Sequence, residues 1–161
     1  LFGPCGYGFP AICGAKIACP DVPVVGFAGD GAFGISMNEM VSCGRDDWPG
    51  ITMIIFRNYQ WGAEKRNTTL WYKDNFVGTE LDTGVSYAKI AKSCGLIGVQ
   101  VDGMDSLRDT LDEAIKVQMN EGKTTFIEVI LNQELGEPFR RDAMKKPVSV
   151  AGISAADMRQ N

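Results

Sequence analysis

Histidine is absent from the 161 residues, and the five cysteines (Cys5, Cys13, Cys19, Cys43, Cys94) form an odd set with no Cys-x-x-Cys pair. These absences count against a zinc site, a histidine-based triad and a disulfide framework, and they fit a reducing, cytoplasmic setting. Positive charge is also scarce: 16 Lys and Arg against 20 Asp and Glu give a formal net charge of -4 and a pI near 4.8. Such a chain has no broad electrostatic grip on nucleic acid or on an anionic membrane surface. No apolar run approaches a membrane span, and no basic stretch precedes an apolar one at the start. A soluble protein with neither nucleic acid nor membrane as partner is expected. The opening "LFGPCGYGFP" has no initiator Met, which suggests a piece of something longer.

What is present is an alternation. With 45% hydrophobic residues the chain can bury one respectable core. Pro10 suits the first turn of a helix that "AICGAKIAC" carries to Pro20. The runs "PVVGFA" (23–28), "ITMIIF" (51–56), "GVQV" (98–101) and "TTFIEVIL" read as buried strands. Between them, "GISMNEMVSCG" and "VSYAKIAKSCG" read as helices, and Leu107, Leu111, Ala114, Ile115 and Met119 recur at helical spacing until Gly122. Strand and helix in turn predict a doubly wound, parallel α/β sheet of Rossmann-like form.

Two stretches escape the pattern. Residues 57–84 lack periodicity yet hold Tyr59, Trp61, Trp71, Tyr72 and Phe76, so they read as a long irregular segment with a function. Residues 132–150 form a tail that gathers Arg140, Arg141, Lys145 and Lys146. We therefore divide the chain into a domain over 1–131 and a C-terminal tail over 132–161 that packs near the active site.

"FAGDGAFGISMNEM" (27–40) poses the chemical question, because Asp30 sits between Gly29 and Gly31, where it adds nothing to a core. In parallel α/β sheets, ligands bind where strand ends feed helix N-termini, whose free N–H groups attract phosphate. Gly29, Gly31 and Ala32 would let a phosphorylated ligand approach the main chain, and a carboxylate there calls for a bridging cation. Magnesium, a hard ion that takes oxygen ligands, fits; an ordinary Asp-Gly turn is the bland alternative. The second Asp-Gly turn, in "VQVDGMDSL", reads as structural, with Asp105 or Ser106 as helix cap and Asp109 in the first turn. The neighbouring run "ITMIIF" ends in "RNYQWG", so Asn58 at the adjacent strand end could reach the cation that Asp30 holds.

Gly29-Asp30-Gly31, 26 intervening residues and Asn58 resemble the signature of thiamine diphosphate enzymes, specifically of their diphosphate-binding domain. The resemblance implies thiamine diphosphate and Mg2+ as cofactors. The metal ligands it implies are the Asp30 carboxylate, the Asn58 side chain and the Gln60 carbonyl, with Trp61 and Gly62 beside the cofactor. Members often carry Asn-Asn where this chain has Arg57-Asn58. "GPCGYGFPAICGAK" resembles the segment around the aminopyrimidine ring in the acetolactate synthase branch. That likeness puts the Gly3 carbonyl at the ring amine and Cys5 in the place of a bulkier apolar residue, with a merely buried thiol as the other reading of Cys5.

"FRNYQWGAEKRNTTLW" and "NQELGEPFRRDAMKKPV" resemble the sulfoacetaldehyde acetyltransferase family. This implies an acyltransferase that converts sulfoacetaldehyde and phosphate to acetyl phosphate and sulfite. Lys65, Arg66, Arg140 and Arg141 are then candidates for its small anionic substrates. Related readings are acetolactate synthase, a 2-oxo acid decarboxylase and, from another class, a non-catalytic nucleotide-binding Rossmann module. No carboxylate matches the activating glutamate of the family's pyrimidine-binding domain, and Glu39 reads as a helix-face or interface residue. No catalytic residue is therefore assigned. A separate pyrimidine domain and a homo-oligomer partner are expected to complete the site, and the isolated chain is expected to be inactive.

Overall fold

In the computed structural model, which describes residues 3–135, the β-branched runs become strands of a parallel sheet; those at 52–57 and 125–130 are buried as expected, whereas the run expected to be buried at 23–28 gives an edge strand over 25–29 that is largely exposed, because only one neighbour covers it. The chain divides into two units, Leu1–Tyr59 with Asp82–Asn132, and Gln60–Leu81 with Gln133–Asn161. In the first unit the order is α1 (Gly8–Ala18), β1 (Val25–Gly29), α2 (Asp30–Ser36), a 3₁₀ turn over Met37–Glu39, α3 (Met40–Cys43) and β2 (Thr52–Arg57). The second unit contributes α4 (Gly62–Trp71), and the first resumes with α5 (Tyr87–Ser93), β3 (Ile97–Asp102), α6 (Leu107–Glu121) and β4 (Thr125–Ile130). The sheet order is β1-β2-β4-β3, all neighbours parallel.

Successive strand residues face opposite ways, and each face has its own apolar core. On one side Met53, Ile55 and Phe126 pack with Phe9 and Cys13 of α1, Phe33 of α2, Met40 and Cys43 of α3 and Tyr87 and Ala91 of α5. On the other, Val101, Ile127 and Val129 pack under Ala114, Leu107 and Leu111 of α6. Helices on both faces make the sheet doubly wound, as the alternation predicts.

Three further expectations need correction. The helix expected over 34–44 begins earlier, at Asp30, and is broken by the 3₁₀ turn instead of running through to Gly44. Within 57–84, expected to be irregular, α4 forms in the second unit; its only apolar residues are Ala63, Leu70 and Trp71, too few to mark a buried stripe. In α6 Met119, expected on the apolar stripe, is exposed, and Gln118 is buried like Ala114; its amide bonds both main-chain groups of Val24 and the Thr52 hydroxyl. A buried glutamine satisfied on three sides replaces the apolar contact the periodicity implied. Ser106 does stand at the N-cap of α6, but its side chain makes no capping bond.

Candidate cofactor site

β1 ends at Gly29, whose extended conformation turns directly into α2. A Cβ at Gly29 would meet nothing within 4 Å, so open space lies before this turn. Asp30 is nevertheless buried, at 1% exposure. Its Oδ1 accepts from Gly31 N–H at 3.0 Å; its Oδ2 accepts from Tyr59 N–H at 2.7 Å and from Arg57 Nη1 at 3.1 Å. The Tyr87 hydroxyl donates to its main-chain carbonyl at 3.2 Å. Burial holds the Tyr87 phenol above its ordinary pKa.

Sequence reasoning passed over Arg57 and Glu128. Arg57, last residue of β2, is 1% exposed, and its Nη2 donates to the carbonyls of Asp82 and Val85. The guanidinium lies 4.4 Å from the Tyr59 ring centre and 5.0 Å from that of Tyr87. Its Nε stands 3.6 Å from Glu128 Oε1. Glu128, equally buried, accepts from Ser86 Oγ at 2.8 Å and from the N–H groups of Tyr87 and Ala88, so it seals the N-terminus of α5. One signal was available: "ITMIIFR" and "TTFIEVIL" each place a single charge in an otherwise apolar strand, and buried charges are rarely left unpaired.

Tyr59 adopts φ 60°, the left-handed region that a side chain enters at a cost of roughly 1 kcal/mol or more. That turn aims its N–H at Asp30. Gly29 pairs with Phe56 across β1 and β2, so Asp30 and the half-buried Asn58 both follow the carboxyl ends of adjacent strands. Asp30 and Asn58 therefore stand just past the ends of neighbouring parallel strands. Gly31 is buried and Ala32 half-buried in the same turn.

The remaining candidates fall elsewhere. Gly3 and Cys5 are exposed, which removes the reading of Cys5 as a buried thiol. The buried thiols are Cys13 and Cys43, 3.7 Å apart; the bond between them lowers the Cys13 pKa and raises that of Cys43. Glu39 is half-buried and accepts from Asn38 Nδ2 and Ser42 Oγ, as a helix-face residue would. In the second unit Gln60 is 2% exposed; its Nε2 donates to the Gln133 carbonyl and its Oε1 accepts from Lys65 Nζ. Lys65 is also ion-paired with Glu80, which holds that carboxyl below its usual range. Trp61 N–H donates to the Thr79 carbonyl at 2.7 Å, Gly62 opens α4, and Arg66 is half-buried within it. Arg140 and Arg141 lie outside the described residues.

Among the described residues no group of three or more His, Cys, Asp or Glu could hold a metal. A cation at Asp30 would thus draw on one carboxylate, amide and main-chain oxygens and the ligand's own oxygens. Such an all-oxygen set suits magnesium bound together with a diphosphate.

A doubly wound sheet with a Gly-Asp-Gly turn at the end of one strand and Asn after the next defines a class of cofactor-binding domain. The chain belongs to the thiamine pyrophosphate enzyme family as its C-terminal TPP binding domain, which matches residues 1–129. It is 74% identical over 159 residues to a "Probable sulfoacetaldehyde acetyltransferase" of Rhizobium meliloti (strain 1021), covering 99% of this chain and 27% of that protein. It is 70% identical over 160 residues to the sulfoacetaldehyde acetyltransferase of Roseovarius nubinhibens, covering 99% of this chain and 26% of that one. The chain thus spans about a quarter of the length of these relatives. The crystal structure of benzoylformate decarboxylase from Polynucleobacter necessarius shares the fold, with TM-score 0.71, 24% identity, and coverage of 84% of this chain and 25% of that one.

Proposed function

We propose that the chain is the diphosphate- and Mg2+-binding part of an acyltransferase that takes sulfoacetaldehyde and phosphate to acetyl phosphate and sulfite. The observation that carries the cofactor site is the placement of Asp30 and Asn58 at neighbouring strand ends before an open glycine turn. The substrate follows from the likeness to the two acetyltransferases. When bound, thiamine diphosphate supplies the nucleophilic carbon and electron sink for cleaving the bond beside a carbonyl. Asp30, Asn58 and the Gln60 carbonyl would hold the metal. Gly29, Gly31, Ala32, Trp61 and Gly62 would receive the cofactor's diphosphate end, with Gly3 and Cys5 at its other ring.

Lys65, Arg66, Arg140 and Arg141 remain the proposed contacts for sulfonate and phosphate, with Glu80 as a competing partner for Lys65. Residues 1–131 form the cofactor domain in this reading and 132–161 a C-terminal tail, of which 136–161 lie outside the described residues. A pyrimidine-binding domain and a second subunit complete the enzyme, in the cytoplasm. No helix among the described residues is long and apolar enough to cross a membrane. The test is calorimetric titration of the full-length protein with thiamine diphosphate and Mg2+. Asp30→Ala should abolish binding, since it removes the set's only charged metal ligand. Equal affinity in variant and wild type would remove the metal-site reading.

A further inference from the structure

Arg57 places a fixed positive charge on the carboxylate that the proposed function assigns to a metal. We propose that Arg57 is a resident counter-cation of Asp30, which keeps this carboxylate from retaining a free divalent ion and makes metal binding conditional on the diphosphate. This inference rests on the reading of Asp30 as the metal ligand.

The geometry is that of a charge built in to stay. Nη1 is 3.1 Å from Asp30 Oδ2, Nη2 donates to the Asp82 and Val85 carbonyls, Nε faces Glu128, and the Tyr59 and Tyr87 rings flank the guanidinium. Because these anchors lie on β4, on the 82–87 segment and on Tyr59, no single side-chain motion releases it. At 1% exposure for both Arg57 and Asp30, water screens little of the repulsion felt by an approaching dication. Glu128, 3.6 Å from Nε, offsets part of this charge, but its oxygens also accept from Ser86 and the N-terminus of α5, so the guanidinium still bears on Asp30. Asp30 is the set's only carboxylate, so its attraction for a bare cation is partly cancelled. A diphosphate brings the negative charge that restores it.

The experiment measures Mn2+ binding to the full-length protein by electron paramagnetic resonance, with and without thiamine diphosphate. Wild type should bind Mn2+ weakly alone and tightly with the cofactor. Arg57→Met with Glu128→Gln removes the guanidinium and its second carboxylate together, so that Asp30 alone is left with an unmatched charge. This double variant should bind Mn2+ alone tighter by on the order of tenfold or more. Adding Asp30→Asn should erase the gain, and Arg57→Lys, which keeps the charge, should stay as weak as wild type. Equal Mn2+ affinity in wild type and double variant, or a gain that survives Asp30→Asn, would overturn the proposal. If the double variant fails to fold, wild type alone still decides, because Mn2+ binding as tight without cofactor as with it also overturns the proposal. Failure of the underlying reading looks different: Asp30→Ala would then keep full affinity for Mn2+ with thiamine diphosphate.

Discussion

At the scale of single residues, the site is held by buried charge matched to buried charge. Arg57→Met alone would leave the Asp30 and Glu128 carboxylates buried without their cation, and should lower stability by about 3–5 kcal/mol. Urea denaturation checks this; a loss under about 1 kcal/mol would mean that water reaches the site. Tyr87→Phe should cost about 1 kcal/mol through the hydroxyl bond to the Asp30 carbonyl. Its pH dependence has a definite sign. Burial raises the phenol's pKa above the ordinary 10, so the folded protein keeps a proton that the unfolded chain releases. The associated stability is complete below pH 10 and is lost as pH rises through the folded value. Denaturation between about pH 9 and 11 should therefore show a steeper decline in wild type than in Tyr87→Phe. Parallel slopes would place the phenol in water. Of these residues Asp30 and Asn58 stood out in the sequence, because glycine turns and strand ends are local features. The partnership of Arg57 and Glu128 did not, because it depends on which strand lies beside β2.

At the scale of elements, close backbone approach decides what the helices tolerate. A Cβ on Gly98 of β3 would come within 1.9 Å of the Ala88 carbonyl oxygen and 2.7 Å of its carbon, so α5 could not keep its place. Gly98→Ala should destabilise by about 1–3 kcal/mol or more. An unchanged thermal midpoint would mean that α5 shifts freely over β3. Gly95 and Gly122 end α5 and α6 in the left-handed conformation, at φ 80° and 65°, and both stops were legible from the glycines alone. By contrast, α4 has no apolar stripe to read. Thr68 and Thr69 turn their hydroxyls back to the carbonyls of Glu64 and Lys65, so its sequence looks like loop while its main chain is helical.

At the scale of the whole molecule, the α6 side of the sheet is covered unevenly. Ile127 and Val129 are sealed under α6, but Phe27 of β1 is 70% exposed beside Phe56, with ring centres 6.3 Å apart, and Val25 is exposed on the same face. An apolar sheet edge of this kind favours association. The 161-residue chain alone should self-associate, and Phe27→Asp should reduce this with little change in thermal midpoint; sedimentation velocity at several concentrations is the check. A monomeric wild-type chain would contradict the expectation.

The alternation of strand and helix, the glycine stops and the pairing of a Gly-Asp-Gly turn with Asn58 can all be read along the chain, because each rests on neighbours within a few residues or on the fixed direction of parallel strands. The sequence also carried the likeness that the family match bears out. The strand order β1-β2-β4-β3, which sets Ile55 opposite Glu128 and so brings that carboxylate to Arg57 and α5, emerges only from the folded sheet. So does the burial of Asp30 against a cation, because the attraction between those charges acts across 27 residues of chain and leaves no periodic trace along it.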